Sequence, residues 1–357
     1  MKPNILLIVL DTARQETFQQ LLKNRHLPAL KRLTEEGMQF ISASANGAWT
    51  LPTHASIFTG KRASRHGTHA GTKSFDPEDR ILAEILSLEG YRTLGISGNA
   101  WISPEFGFNR GFDTLSMKWD YFWNGADLSP VSAATGIRAK TGKLFNQLSF
   151  TNAPTTILNL LYAKFLSNRY DDGARNITRR ATDWFRKEGR DSEPFFFFIN
   201  YLEPHLEYDP ISEYRERFAP GVDEDRIEGI NQDPWEYIGE KSTLTDEDFE
   251  ILEALYEAEI AYVDDKIGQL YDSLDRMDLL EETCFIVVGD HGENVGEHGL
   301  MDHQYCLYET LLNVPLLIRC PGGEGGKTIE APVETRDLFP TILELADAHR
   351  PDDGDIS

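Results

Sequence analysis

Thr283-Cys284-Phe285-Ile286-Val287-Val288-Gly289-Asp290-His291 is an apolar run closed by two side chains that can bind a metal. An uninterrupted apolar run of this length reads as a parallel strand buried on both faces. The run Ile5-Leu6-Leu7-Ile8-Val9-Leu10 has the same form and ends in Asp11. Thr93–Ser97, Phe195–Tyr201 and Leu316–Arg319 read as further strands. Between them Leu27–Glu36, Ile81–Leu88 and Phe249–Leu274 carry apolar residues at helical spacing, the first two followed closely by glycine. Strands alternating with helices predict an α/β fold: a mostly parallel central sheet with helices on both faces. In such sheets ligands bind beyond the carboxyl ends of the strands, where Asp11 and Asp290-His291 would meet. A doubly wound nucleotide-binding fold would show a glycine-rich loop after the first strand, and Leu10-Asp11-Thr12-Ala13-Arg14 is no such loop.

Thr50 opens Thr50-Leu51-Pro52-Thr53-His54-Ala55-Ser56-Ile57-Phe58-Thr59-Gly60, which reads as a short helix with a glycine stop. A hydroxyl at a helix N-terminus faces free backbone N–H groups and can meet an anion there, or it can simply cap the helix. His205 follows the Phe-rich strand, and His298 and His303 follow Asp290-His291 within one loop. Any one of these histidines alone reads as structural. Together, each beyond a strand end, they point to a metal or anion site.

The 357 residues, 40% apolar, suit one large domain. Residues 1–345 read as the catalytic domain, with insertions at about 118–170 and 206–248 over the ligand-binding edge. Trp119–Trp123 is a candidate pocket wall, and Ile157–Phe165 a helix inside the first insertion. Residues 346–357 read as an acidic tail or as the start of a missing C-terminal part. The net charge is −24, from 59 acidic and 35 basic residues. That field opposes non-specific binding to nucleic acid or anionic membrane. Acid excess with little lysine is also the surface of a halophilic protein. Cys284, Cys306 and Cys320 lack ligand spacing; Cys284 and Cys320 are expected to be core thiols, and a reducing, cytoplasmic location follows from that reading. No run is long enough to span a bilayer.

The chain resembles the sulfatase branch of the alkaline phosphatase superfamily. The resemblance rests on Pro3–Asp11, Thr50–Gly60, Gly90-Tyr91-Arg92-Thr93, Arg110-Gly111-Phe112-Asp113, Glu203-Pro204-His205, Gly289–Glu293, Gly296-Glu297-His298-Gly299, Leu307-Tyr308-Glu309 and Val314-Pro315-Leu316, which appear in the family's order. It implies an alkaline-phosphatase-like fold and a divalent metal (Zn, Mn, Ca or Mg) held by Asp11, Asp290, His291 and Thr50. Thr50 stands at the nucleophile position. His205 and His303 match positions that touch the substrate or a second metal, and His54, Asn99 and His298 fall at substrate-binding positions. A small anionic ester is the implied substrate.

The departures are chemical. Sulfate-ester hydrolases of this family make formylglycine from the cysteine or serine of a Cys/Ser-x-Pro-x-Arg motif. Thr50-Leu51-Pro52-Thr53-His54 occupies that place, and a threonine cannot be oxidised to the aldehyde. His54 replaces the arginine. Gly98-Asn99-Ala100-Trp101 lacks the family's lysine and histidine, and Thr12 replaces a second aspartate. These changes resemble members that cleave or transfer phosphoryl groups from phosphate or phosphonate esters through threonine. A sulfuric ester hydrolase working without formylglycine, and a non-catalytic anion-binding protein, are the competing expectations.

Overall fold

A computed structural model describes residues 2–120, 173–191 and 193–349. The expected helix at Ile157–Phe165, Tyr121–Trp123 of the aromatic stretch and the last eight residues lie outside them.

The strands are β1 (Asn4–Leu10), β2 (Met38–Ser44), β3 (Arg92–Ser97), β4 (Thr114–Met117), β5 (Phe195–Tyr201), β6 (Thr283–Gly289), β7 (Asn294–Val295), β8 (Met301–Asp302), β9 (Asn313–Arg319), β10 (Lys327–Ile329) and β11 (Val333–Glu334). Nine form one sheet in the order β10-β2-β9-β6-β1-β5-β3-β4, with β11 added beside β2; β7 and β8 form a small hairpin. β1 lies between β5 and β6 and is parallel to both, with Ile5 opposite Phe196 and Cys284. β9 runs antiparallel to β6 and β2. The sheet is therefore mixed and mostly parallel, as an α/β reading requires.

Alternation along β1 divides the core. Leu6, Ile8 and Leu10 face one buried cluster and Ile5, Leu7 and Val9 the other. The first cluster is covered by α1 (Gln15–Lys23), α2 (Pro28–Glu36), the helix Ala174–Glu188 and the long helix Asp246–Arg276, through residues such as Phe18, Leu30, Phe185 and Leu255. The second is covered by α3 (Thr50–Thr59), α4 (Leu82–Leu88) and Leu338–Leu345, through Phe58, Leu86 and Ile342 among others. Helices on both faces leave the strand ends as the open edge.

Residues 206–248 fold as short helices, Ser212–Phe218, Glu224–Glu228 and Pro234–Ile238. Rings from them pack on the long helix: Tyr214 lies 5.4 Å from Tyr262 and Tyr237 5.3 Å from Phe249.

The cysteines differ from expectation. Cys284 at the start of β6 and Cys320 just past β9 face each other across the antiparallel pair and are joined as a disulfide, while Cys306 is free. Both were expected as separate core thiols. The pairing follows from β9 running antiparallel to β6, a neighbour relation that spacing of 36 residues does not reveal. The inference of a reducing compartment rested on unpaired thiols and loses that ground. Among the described residues no helix is long and apolar enough to cross a membrane.

Candidate active site

Asp11 follows β1 and its N–H donates to Tyr201 O of β5 (3.1 Å); the Asp290 N–H donates to Leu10 O (3.2 Å). The sheet's own ladder thus carries both carboxylates to one place, and both are fully buried. Thr12 then turns the chain at φ 58°, a left-handed conformation that costs a β-branched residue energy. Its N–H is held by Asp290 Oδ1 (3.1 Å) and its carbonyl accepts from the Tyr256 hydroxyl (2.7 Å). Gly292 is required by space: a Cβ there would meet Thr310 O at 2.0 Å.

Thr50 begins α3 after Trp49, at the free N–H end, as its sequence predicts. Its hydroxyl lies 3.4 Å from Asp11 Oδ1 and 3.3 Å from His291 Nε2. Asn99 donates from Nδ2 to Asp11 Oδ2 (2.5 Å) and reaches Thr50 Oγ1 (3.3 Å). His54, one turn along α3, sits with Nδ1 2.9 Å from Thr50 O and 3.6 Å from Asp290 Oδ2. Burial pushes its pKa down to about 4, so it is a neutral donor that braces Thr50.

The donor set fits a divalent cation. Metal-binding atoms of Asp11, Asp290 and His291 all lie within 4.8 Å of one another. Burial, then the neighbouring Asp11, pushes the Asp290 carboxyl well above the usual carboxylate range, which marks two acids crowded without a counter-charge. Asp290 Oδ2 is buried without a hydrogen-bond partner. Burial also holds His291 neutral. Its Nδ1 lies 2.9 Å from Gly292 O, which places the proton there and leaves the Nε2 lone pair facing Asp11 and Thr50.

His205 and His303 join this centre. The His303 ring centroid lies 4.5 Å from that of His291 and 5.1 Å from that of His205. Burial would lower the His303 pKa, but the adjacent carboxylates of Asp302 and Glu293 win and raise it to about 10. His303 Nδ1 is 2.5 Å from Asp302 Oδ1 and 3.6 Å from Glu293 Oε2. Tyr208 donates its hydroxyl to Glu293 Oε1 (2.5 Å). Sequence alone assigns no role to Glu293 and Asp302; their signal is an acid within two residues of each site histidine, His291-Gly292-Glu293 and Asp302-His303.

His298 departs from its expected place. It is exposed at φ 59° and stacks on Tyr308 at 3.8 Å between centroids, so the tight turn carries it outward. Arg14, Lys61 and Arg62, which follow the Asp11 and Thr50 segments in sequence, form ion pairs with Glu297 (2.6 Å), Asp79 (2.5 Å) and Glu334 (2.8 Å) respectively. Of the aromatic stretch only Trp119 falls among the described residues.

A Sulfatase family model matches residues 3–348. The uncharacterized sulfatase YidJ of Escherichia coli is 26% identical over 98% of this chain and 69% of its own length. A solved phosphonate monoester hydrolase of Agrobacterium radiobacter superposes with a TM-score of 0.69 at 20% identity, over 97% of this chain and 74% of that one. A second structure, described as a complex with its substrate D-glucosamine-2-N,6-O-disulfate, gives 0.70 at 20% identity over 99% and 78%.

Proposed function

Since this chain belongs to the sulfatase family, we propose that it is a metal-dependent hydrolase or group transferase acting on phosphate or phosphonate esters with Thr50 as nucleophile. The single observation that carries the reading is the Thr50 hydroxyl at the N-terminus of α3, 3.4 Å from Asp11 and 3.3 Å from His291, where a hydratable aldehyde cannot form.

Asp11, Asp290, His291 and Thr50 would hold a divalent cation, which when bound would supply the positive charge that lowers the pKa of the threonine hydroxyl and offsets charge on the ester oxygens. Thr50 Oγ1, its proton released to solvent, attacks phosphorus in line. The bond to the leaving oxygen breaks as the new P–O bond forms, giving a phosphothreonine. Asn99 fixes the positions of the Asp11 carboxylate and the attacking oxygen. His205 and His303 stabilise the non-bridging oxygens or give a proton to the leaving oxygen. Water, or an acceptor alcohol, then takes the phosphoryl group from Thr50. Positioning and charge stabilisation do most of the work in such transfers.

The relatives favour a second reading, hydrolysis of a sulfate ester without formylglycine, since similar proteins are described as sulfatases. Turnover of matched aryl esters (phosphate monoester, phosphate diester, phosphonate monoester and sulfate) by metal-stripped protein reloaded with Mn²⁺ or Zn²⁺ separates the two. Metal-dependent cleavage of a phosphorus ester, lost in Thr50→Ala, is the expected result. Cleavage of sulfate alone would reject it.

A further inference from the structure

Beside the Thr50 centre lies a second set of buried donors. Glu293 Oε2, Asp302 Oδ1 and His303 Nδ1 lie within 4.8 Å of one another. Glu293 is fully buried and His303 is 3% exposed. None of these three atoms has a hydrogen-bond partner of acceptable geometry, although they face each other. Two carboxylate oxygens are thus aimed at one ring nitrogen. The ion pairs of Glu293 and Asp302 are with His303, and no lysine or arginine reaches either acid among the described residues.

Charge decides what belongs there. Two buried carboxylates against one imidazolium leave a net negative charge out of water, which is costly. A divalent cation with neutral His303 balances the two acids. One nitrogen and two carboxylate oxygens suit Zn²⁺ or Mn²⁺. The neighbouring bonds hold the donors in place: Tyr208 occupies the other oxygen of Glu293, and Asn294 Nδ2 donates to Asp302 O (3.1 Å).

We propose that Glu293, Asp302 and His303 form a second divalent-cation site, separate in its ligands from the Asp11–Asp290–His291 set. A cation on Nδ1 would take the place of a proton there and leave His303 with its N–H on Nε2. The proposal does not depend on which ester is cleaved, and metal content reads it without any substrate.

The full chain, stripped with chelator and titrated with Mn²⁺, should retain two ions per chain after gel filtration at micromolar free metal. Asp290→Asn should lose one. Glu293→Gln combined with Asp302→Asn should lose the other and keep the first. Asp302→Asn alone, at the rim of the pair, serves where the double variant fails to show a native near-ultraviolet spectrum. One ion per chain in the unaltered protein, a second ion held only at millimolar metal, or two ions retained by folded variants would each overturn the proposal. Failure of Thr50→Ala to lose ester turnover would reject the nucleophile and leave this site standing.

Discussion

Thr50 and Asp290 bear the sharpest consequences at the scale of single residues. Thr50→Ala should lower kcat by roughly 10³–10⁶-fold, the range for removing a nucleophile, while near-ultraviolet circular dichroism stays the same and Asp11, Asp290 and His291 still retain the ion. Near-full turnover would remove Thr50 from the chemistry. Asp290→Asn keeps the shape of the carboxylate but takes away its charge, and elemental analysis should find the ion at that centre gone. Both residues were legible in the sequence because each ends or begins a regular element, so the element's direction fixes where the side chain goes. The same logic failed at His298. A left-handed turn between Gly296 and Gly299 sends it outward, and no periodicity reports a turn's direction. Glu293 and Asp302 carry no distinctive signal because an acid within two residues of a histidine is common, and only the fold shows that both face the same ring nitrogen.

Elements here are held by residues far outside them. Leu27, before α2, has no side chain that can cap the helix, and Pro28 occupies its first turn. The cap comes instead from Asp264 of the long helix, whose carboxylate accepts the N–H groups of Ala29 (3.1 Å) and Leu30 (2.8 Å). Burial outweighs those two bonds and raises the Asp264 pKa to about 7. The native state therefore keeps a proton there that the unfolded chain releases near pH 3.8. Stability from this group is complete below that pH and declines as pH rises toward 7. Between pH 4 and 7 the urea midpoint of Asp264→Asn should fall less than that of the unaltered chain; equal slopes would reject the assignment. Asp264→Ala should cost about 1–2 kcal/mol through the lost cap. The apolar runs β1, β5 and β6 and the amphipathic long helix were readable because burial writes a period into them. β2 was not: its residues are half-exposed on the outer part of the sheet, so no unbroken apolar run marks it. The antiparallel sense of β9 was equally silent, and with it the disulfide.

For the whole molecule, charge and the cross-link set the responses. With a net charge of −24, self-repulsion in the folded state should be relieved by salt, and Tm should rise between 0.1 and 2 M KCl. A flat profile would show that the acids are placed without mutual strain. The Cys284–Cys320 bond closes a loop of 36 residues, worth about 4 kcal/mol in the chain-entropy account. Reducing agent, or paired replacement by serine, should lower Tm accordingly, and an unchanged Tm would show that the bond contributes nothing in solution. The fold class and the family resemblance were legible because the motifs sit at strand ends in a fixed order; substrate choice was not, because it depends on groups brought together from separate loops.

The place of β1 also governs when this protein can exist. Its strand is central, yet its partners β5 and β6 end at Tyr201 and Gly289. On a ribosome adding 5–20 residues per second, β1 waits on the order of 14–56 s for its second neighbour to be made. Until β5 is made Ile5–Leu10 is an unpaired, wholly apolar ribbon with both edges open, and until β6 is made one edge stays open, the form most prone to pair with the wrong chain. Asp11 and Asp290 come together only when β6 docks beside β1, so a nascent chain has neither a closed sheet nor a reaction centre. Chaperone demand during synthesis and the onset of activity are set by the same late event.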